Sequence, residues 1–171
     1  ELAGKYMQMS DSARECVERE YQRLFAGEGR ILGVLCRGTD YVKSKPSQHK
    51  IQPTPEEMYG KIDEIMQRQR CKKIFLATED GQIYQRFKQK YGDIVITNTK
   101  QFAKYESGCI GKTLYESRTD TREAGMEYLV TIMLLSRCDC LCAGIVSGTG
   151  SAILLSKGYS EMYLFDSGCY K

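Results

Sequence analysis

Five short apolar runs, each closing on polar residues and each separated from the next by a helix-length amphipathic segment, constrain this chain most. The runs are Ile31–Cys36, Lys72–Thr78, Ile94–Thr97, Asp139–Ala143 and Met162–Phe165. Each is too short for a free-standing helix, and the richest of them read as strands buried on both faces. Between them the apolar spacing predicts helices over Ser10–Phe25, Thr54–Arg70, Gln82–Lys90, Thr121–Leu135 and Ala152–Lys157. Thr54, Pro55 and Glu57 supply an N-cap, a first-turn proline and the acid that closes a capping box. Ser12 and Glu15 resemble a second box at the start of the first helix. The order α-β-α-β-α-β-loop-α-β-α-β implies right-handed crossovers, and so an α/β fold with a mostly parallel sheet and helices on both faces. Residues 1–171 fit one domain, with 1–25 as a linking helix. The chain opens on Glu1, close to an amphipathic helix, so it is expected to be a piece of a longer protein.

Composition removes several functions. Net charge is +3, no basic run is long enough for nucleic acid, and the 12 tyrosines are dispersed. No apolar stretch approaches the roughly 18 residues of a membrane span, and no signal-peptide pattern opens the chain. The single histidine, His49, lies in the polar loop 43–53, which leaves a Ser–His–Asp hydrolase without a base. No Asp-x-Asp sequence and no His/Cys/carboxylate cluster support a metal, and no cofactor is expected. Of the 8 cysteines, Cys138, Cys140 and Cys142 alternate along a predicted strand and would share one face, while Cys36 sits in another apolar run. That geometry suits packed free thiols better than disulfides or zinc, and favours a reducing, cytoplasmic location.

Two stretches carry candidate chemistry. At the carboxyl end of the first run, the sequence turns within one residue from Cys36 to Arg37, Gly38, Thr39 and Asp40. Open α/β sheets bind ligands at this edge, and an arginine fork suits phosphate or carboxylate. Asp40 would orient that guanidinium or accept a ligand hydroxyl; a plain strand-end ion pair is the competing reading. The second stretch is Ser147-Gly148-Thr149-Gly150-Ser151, between a buried strand and a helix. Exposed backbone N–H groups and hydroxyls at a helix start attract an anion. It is neither a Walker loop nor a dinucleotide fingerprint, because Ala152 and Ile153 fall where the third glycine belongs. A simple capped turn is the alternative. Residues 98–120 lack a period and read as a long loop.

Three of these stretches resemble the motifs of one family. Gly33-Val34-Leu35-Cys36-Arg37-Gly38-Thr39-Asp40-Tyr41 is similar to the His-x-Arg-Arg-x-Asp motif of the GDP-fucose-dependent fucosyltransferases, the superfamily of α1,6-, α1,2- and protein O-fucosyltransferases. Ile74-Phe75-Leu76-Ala77-Thr78-Glu79-Asp80 resembles its second motif, an apolar strand ending in Thr-Asp-Asp. Leu134 through Cys142, continuing to Ser147, resembles the third, and the order and spacing agree from about residue 30 to 158.

The resemblance implies a GT-B glycosyltransferase of two Rossmann-like domains, of which this chain is the donor-binding half and the acceptor domain precedes residue 1. It implies metal-independent, inverting transfer of fucose from GDP-fucose to a glycan or other acceptor. Arg37 takes the place of the arginine that grips the β-phosphate, Asp40 that of the motif's aspartate, Asp80 that of the second acid, and Ser147 that of the turn serine. Gly38 and the 147–151 stretch complete the expected donor site, with Arg37 and Asp40 as the expected catalytic pair. There are departures: Leu35 replaces the histidine, Gly38 the second arginine, Thr131 an aspartate that recognises guanine, and Lys45 a glutamate assigned to catalysis. The general base is therefore unassigned, and Glu79 and Asp80 are either ribose-hydroxyl acceptors or helix N-cap acids. A non-catalytic nucleotide- or sugar-binding module and a pure protein-interaction domain are the alternatives to an enzyme.

Overall fold

In the computed structural model the central strand, β1 (Ile31–Leu35), is buried at all five positions and pairs in parallel with strands on both sides. Residues 8–38, 45–100, 102 and 121–171 are described. In chain order the elements are α1 (Asp11–Phe25), β1, α2 (Pro55–Gln69), β2 (Lys73–Ala77), α3 (Gly81–Tyr91), a 3₁₀ turn (Gly92–Ile94), β3 (Val95–Ile96), α4 (Thr121–Leu135), β4 (Cys140–Gly144), α5 (Ser147–Leu155) and β5 (Glu161–Phe165). The strands lie in the order β3-β2-β1-β4-β5, all parallel, as the alternating pattern predicts.

The period of two along each strand sorts side chains onto two apolar layers. Leu32, Val34, Ile74, Leu76, Cys140 and Cys142 meet Met58, Ile62 and Ile65 of α2 and Ile83 and Phe87 of α3. Ile31, Leu35, Phe75, Leu141 and Ala143 face the other way, toward Val17 and Phe25 of α1, Leu134 and Leu135 of α4, and Ala152 of α5. Each fully buried large side chain, such as Phe75 or Phe87, contributes about 1.5–3 kcal/mol of transfer free energy. Gly33 interrupts β1 because a Cβ there would lie 2.7 Å from Leu135 Cδ1 and 3.0 Å from Cys138 Sγ.

The Thr54 start forms as expected: Thr54 Oγ1 accepts from Glu57 N–H at 3.3 Å, and Glu57 Oε2 accepts from Thr54 N–H at 2.7 Å. Three local expectations are corrected. The cap of α1 is Ser10, whose Oγ accepts from Ala13 N–H, and Ser12 lies inside the helix. α5 begins at Ser147, so the 147–151 stretch is helix and not a turn preceding one. The three alternating cysteines do not share a face. Cys138 belongs to the turn that closes α4, where its N–H bonds Leu135 O, and the strand period starts only at Cys140. Cys138 therefore packs with α1 and α4, while Cys140 and Cys142 pack with α2 and α3.

Residues 48–51, ahead of α2, are fastened to residues 166–170. Lys50 bridges Cys169 in antiparallel fashion, Gln48 N–H donates to Tyr170 O, and Lys50 Nζ pairs with Asp166 at 2.7 Å. Among the described residues no helix is long and apolar enough to cross a membrane.

Candidate functional site

The chain leaves β1 toward β2 on one side and returns to β4 on the other, so the sequence order reverses between β1 and β4. The carboxyl ends of these two strands form the crevice in which such sheets hold ligands. Arg37 and Gly38 follow β1, and Val146 and Ser147 follow β4.

Arg37 is partly exposed, at 28 %, and its Nε lies 3.7 Å from Glu79 Oε1 at the end of β2. Among the described residues, Glu79 faces the guanidinium. Asp40, expected to orient Arg37, lies outside the described residues, as do Thr39 and most of the 98–120 loop. Glu79 and Asp80, which stood as equal candidates, have different surroundings. Asp80 is 4 % exposed and caps α3, its Oδ1 accepting from Gln82 N–H at 2.7 Å and from Ile83 N–H at 3.3 Å. Its other oxygen fills the space beside Gly38, where a Cβ would come within 2.3 Å of Oδ2. Asp80 thus acts as an N-cap acid, and the glycine in place of the motif's second arginine is the residue that leaves room for it. Beneath them burial pushes the Cys36 thiol well above its ordinary range, with Glu79 and Asp80 adding to the shift.

At the head of α5, Val146 is the N-cap and offers no side-chain cap, so the first-turn N–H groups keep their donor capacity. Of the five residues singled out, Ser147 is exposed and stands at the first helical position. Gly148 and Thr149 are buried. Thr149 spends its hydroxyl on Gly144 O at 2.6 Å, which ties the helix to the end of β4. Gly150 N–H is bonded to Val146 O, and Ser151 lies on the exposed side one turn further in. The donor-bearing part of the stretch is therefore its beginning. A Cβ at Gly148 would meet Tyr128 Oη at 2.9 Å, Ile132 Cδ1 at 3.1 Å and Leu35 Cδ1 at 3.4 Å. The glycine lets the helix start press against α4 and the end of β1, which brings its N–H groups to the same edge as Arg37.

Two neighbours of this edge were not singled out as site residues. Tyr128, expected along the packed side of α4, is 55 % exposed with its hydroxyl beside Gly148. Its i, i+4 relation to Ile132 was visible in the sequence, but its exposure was not. Asn98, after β3, is buried and donates through Nδ2 to Thr131 Oγ1 at 2.9 Å and to Glu127 O at 3.3 Å. Thr131, standing for the motif's aspartate, is thereby engaged within the fold. Leu35, standing for its histidine, is core, and Lys45 is exposed. His49 is also exposed. Among the described residues no group of three or more His, Cys, Asp or Glu gathers to hold a metal. A cavity of about 400 Å³ between α1 and α4 is lined by Arg19, Glu20, Asn98, Lys100, Arg122 and Glu127, among others, and includes neither Arg37 nor the 147–151 stretch.

Comparison with known proteins gives the family and the fold. Residues 3–148 match the family model described as alpha-(1,6)-fucosyltransferase N- and catalytic domains. Among solved structures, the chain is similar to NodZ α-1,6-fucosyltransferase soaked with GDP-fucose (TM-score 0.52, 18 % identity, 87 % of this chain and 43 % of that one). It is likewise similar to the fucosyltransferase NodZ from Bradyrhizobium (TM-score 0.54, 17 % identity, 94 % and 46 %). POFUT1 in complex with GDP matches at TM-score 0.57 and 11 % identity, over 91 % of this chain and 48 % of that one. No curated protein matches the chain. The chain spans a little under half the length of these structures, whose resemblance at such identity is one of fold. The length of the family match settles the kinship: this chain belongs to the α1,6-fucosyltransferase family.

Proposed function

We propose that this chain is the donor-nucleotide half of a fucosyltransferase, holding GDP-fucose for inverting transfer to a glycan or other acceptor presented by a second domain. The observation that supports the reading is that Arg37 and the uncapped start of α5 follow the carboxyl ends of the adjacent strands β1 and β4, at the switch point of the sheet, in a chain of this family. Structures of its fold relatives were determined with GDP or GDP-fucose.

In this reading the diphosphate lies across the crevice. The Arg37 fork takes the β-phosphate, and the first N–H groups of α5 with the Ser147 hydroxyl take the remaining oxygens. As the bond from the anomeric carbon to the β-phosphate oxygen breaks, negative charge grows on the departing diphosphate. A fixed guanidinium and a helix start oppose that charge without reorganising, which is a metal-independent way to stabilise it. Glu79 holds the guanidinium in place, Gly38 and Asp80 shape the floor, and Asp40 serves as a second orienter of Arg37 or as an acceptor from a sugar hydroxyl. The exposed ring of Tyr128 flanks the site on the α4 side.

Calorimetric titration with GDP, UDP and ADP in the presence of EDTA tests the reading. GDP-selective binding that collapses in Arg37→Ala is expected. Equal binding of all three nucleotides, or binding unaffected by the substitution, refutes it.

A further inference from the structure

Just ahead of α2 lies a buried polar residue, Gln52, 4 % exposed. Its side-chain amide joins two segments: Nε2 donates to Lys50 O at 3.1 Å and to Ile145 O, immediately beyond β4, also at 3.1 Å. The next residue is fixed to the neighbouring strand. Cys36 Sγ donates to Pro53 O at 3.9 Å, and burial holds that thiol protonated. Gln52-Pro53 is thus bonded to the residue before Arg37 and to the residue before Val146, the N-cap of α5. Gly144 admits this brace, since a Cβ there would overlap Gln52 Oε1 and lie 3.0 Å from Pro53 Cδ.

The bonding of the amide is lopsided. Both Nε2 hydrogens are engaged, while Oε1 is buried with no hydrogen-bond partner among the described residues. A stranded acceptor opposes folding, and an apolar side chain of the same length would fill the space without one. Packing alone therefore does not account for a glutamine here, whereas its two donated bonds do. Of these, the bond to Lys50 O is local, and the bond to Ile145 O spans 93 residues of chain.

We propose that Gln52 is a positioning residue for the donor diphosphate, acting through the Ile145–Val146 peptide at the head of α5. The inference rests on the donor-site reading above. In a trans peptide the C=O and the following N–H point in opposite directions. Drawing Ile145 O toward Gln52 turns the Val146 N–H away from it and sets the direction in which the chain enters α5. The first N–H groups of that helix, with the Ser147 hydroxyl, are those assigned to the diphosphate. Because Pro53 holds Cys36 at the same time, one short segment fixes the approaches to Arg37 and to α5 relative to each other. A diphosphate that spans the two needs this spacing preset, since ordering it on binding would lower the affinity.

The test compares the full-length wild type with Gln52→Met, which keeps the length of the side chain and removes both donated bonds. Affinities are measured for GDP by calorimetry and for guanosine, which has no phosphate, by ligand-detected NMR. Gln52→Met should weaken GDP about ten-fold, the share of one charge-assisted hydrogen bond, and leave guanosine within about two-fold of wild type. An unchanged ratio of GDP to guanosine affinity, including equal weakening of the two, overturns the proposal and leaves the donor-site reading standing. Wild type that binds GDP no better than guanosine overturns both. A second readout needs no variant: the side-chain N–H signals of Gln52 should exchange slowly with solvent and should shift with the Val146 amide as GDP saturates the protein. Gln52 signals that exchange freely, or that stay fixed at saturation, overturn the proposal whether or not Gln52→Met folds.

Discussion

Gly38→Ala isolates the contact between the first two motifs. Gly38 has no positive φ, so alanine meets no backbone penalty and the cost is one of space. The added methyl would sit 2.3 Å from Asp80 Oδ2, 2.8 Å from its Cβ and 2.9 Å from its Cγ. Asp80 has nowhere to move without releasing Gln82 and Ile83 from its cap. Overpacking costs about 1–3 kcal/mol and loss of a capping acid about 1 kcal/mol, so the variant should lose about 2–4 kcal/mol. For a chain of this size that is a fall in Tm of about 5–15 °C. Urea unfolding of Gly38→Ala, Asp80→Gly and the double variant forms a cycle that assigns the loss. Glycine at an N-cap costs only a few tenths of a kcal/mol relative to Asp, and removing the carboxylate leaves room for the methyl. In the Asp80→Gly background the alanine should therefore cost under about 1 kcal/mol, a coupling of about 2 kcal/mol. A loss below about 0.5 kcal/mol in the single variant, or an undiminished loss in the double, refutes the argument.

Three further outcomes are expected. If the proposed function holds, Arg37→Ala should lower the rate constant of fucose transfer by the full-length protein by about a hundred-fold or more. Arg37→Lys should recover little of it, since lysine lacks the planar fork; weaker GDP-fucose binding at an unchanged rate constant would contradict this. Thr149→Val keeps the shape but strips the hydroxyl from Gly144 O, and should cost about 1–3 kcal/mol in urea unfolding. The Cys142 thiol is pushed up to about 12 by burial, partly opposed by Lys61, whereas in the unfolded chain it ionises near about 8.5. Its contribution is complete below about pH 8.5 and disappears as pH rises through about 12, so alkaline stability curves should fall across that window. Cys142→Ala should make the fall shallower by as much as about 1.4 kcal/mol per pH unit, one thiol's share.

The elements easiest to read from the sequence were those whose local chemistry and packing agree. Thr54, Pro55 and Glu57 announce α2 by backbone chemistry alone, and the structure starts the helix there. The runs that became β1, β2 and β4 were legible because burial on both faces leaves a nearly unbroken apolar signature, whereas β5, with Met162 and Tyr163 exposed, was read from its β-prone residues and its place in the alternation. Agreement fails where packing overrides composition. Ser147-Gly148-Thr149-Gly150 has the residues of a turn and poor helix propensity, yet it is helical, because Tyr128, Ile132 and Leu35 crowd the position where Gly148 has no side chain. The roles of Glu79 and Asp80 could not be separated from adjacent letters. Only the course of the backbone turns one carboxylate toward Gln82 and Ile83 and the other toward Arg37. Tyr128 shows the same limit from the opposite side: its spacing matches a packed stripe, yet the residue is exposed, with its hydroxyl beside Gly148.

The fastening of residues 48–51 to residues 166–170 has a consequence for the order in which the molecule assembles. Lys50 and Asp166 are 116 residues apart in sequence, and the pairing of Gln48 and Ile51 with Tyr170 and Gly168 spans a similar distance. Closing so long an excursion of chain is entropically unfavourable until the intervening strands have docked. Amides of residues 48–51 should then be the last to gain protection from hydrogen exchange during refolding, after those of β1 and β4. They should be the first to lose it when β5 detaches. Residues 48–51 thereby report, through their own protection, whether the far edge of the sheet is in place.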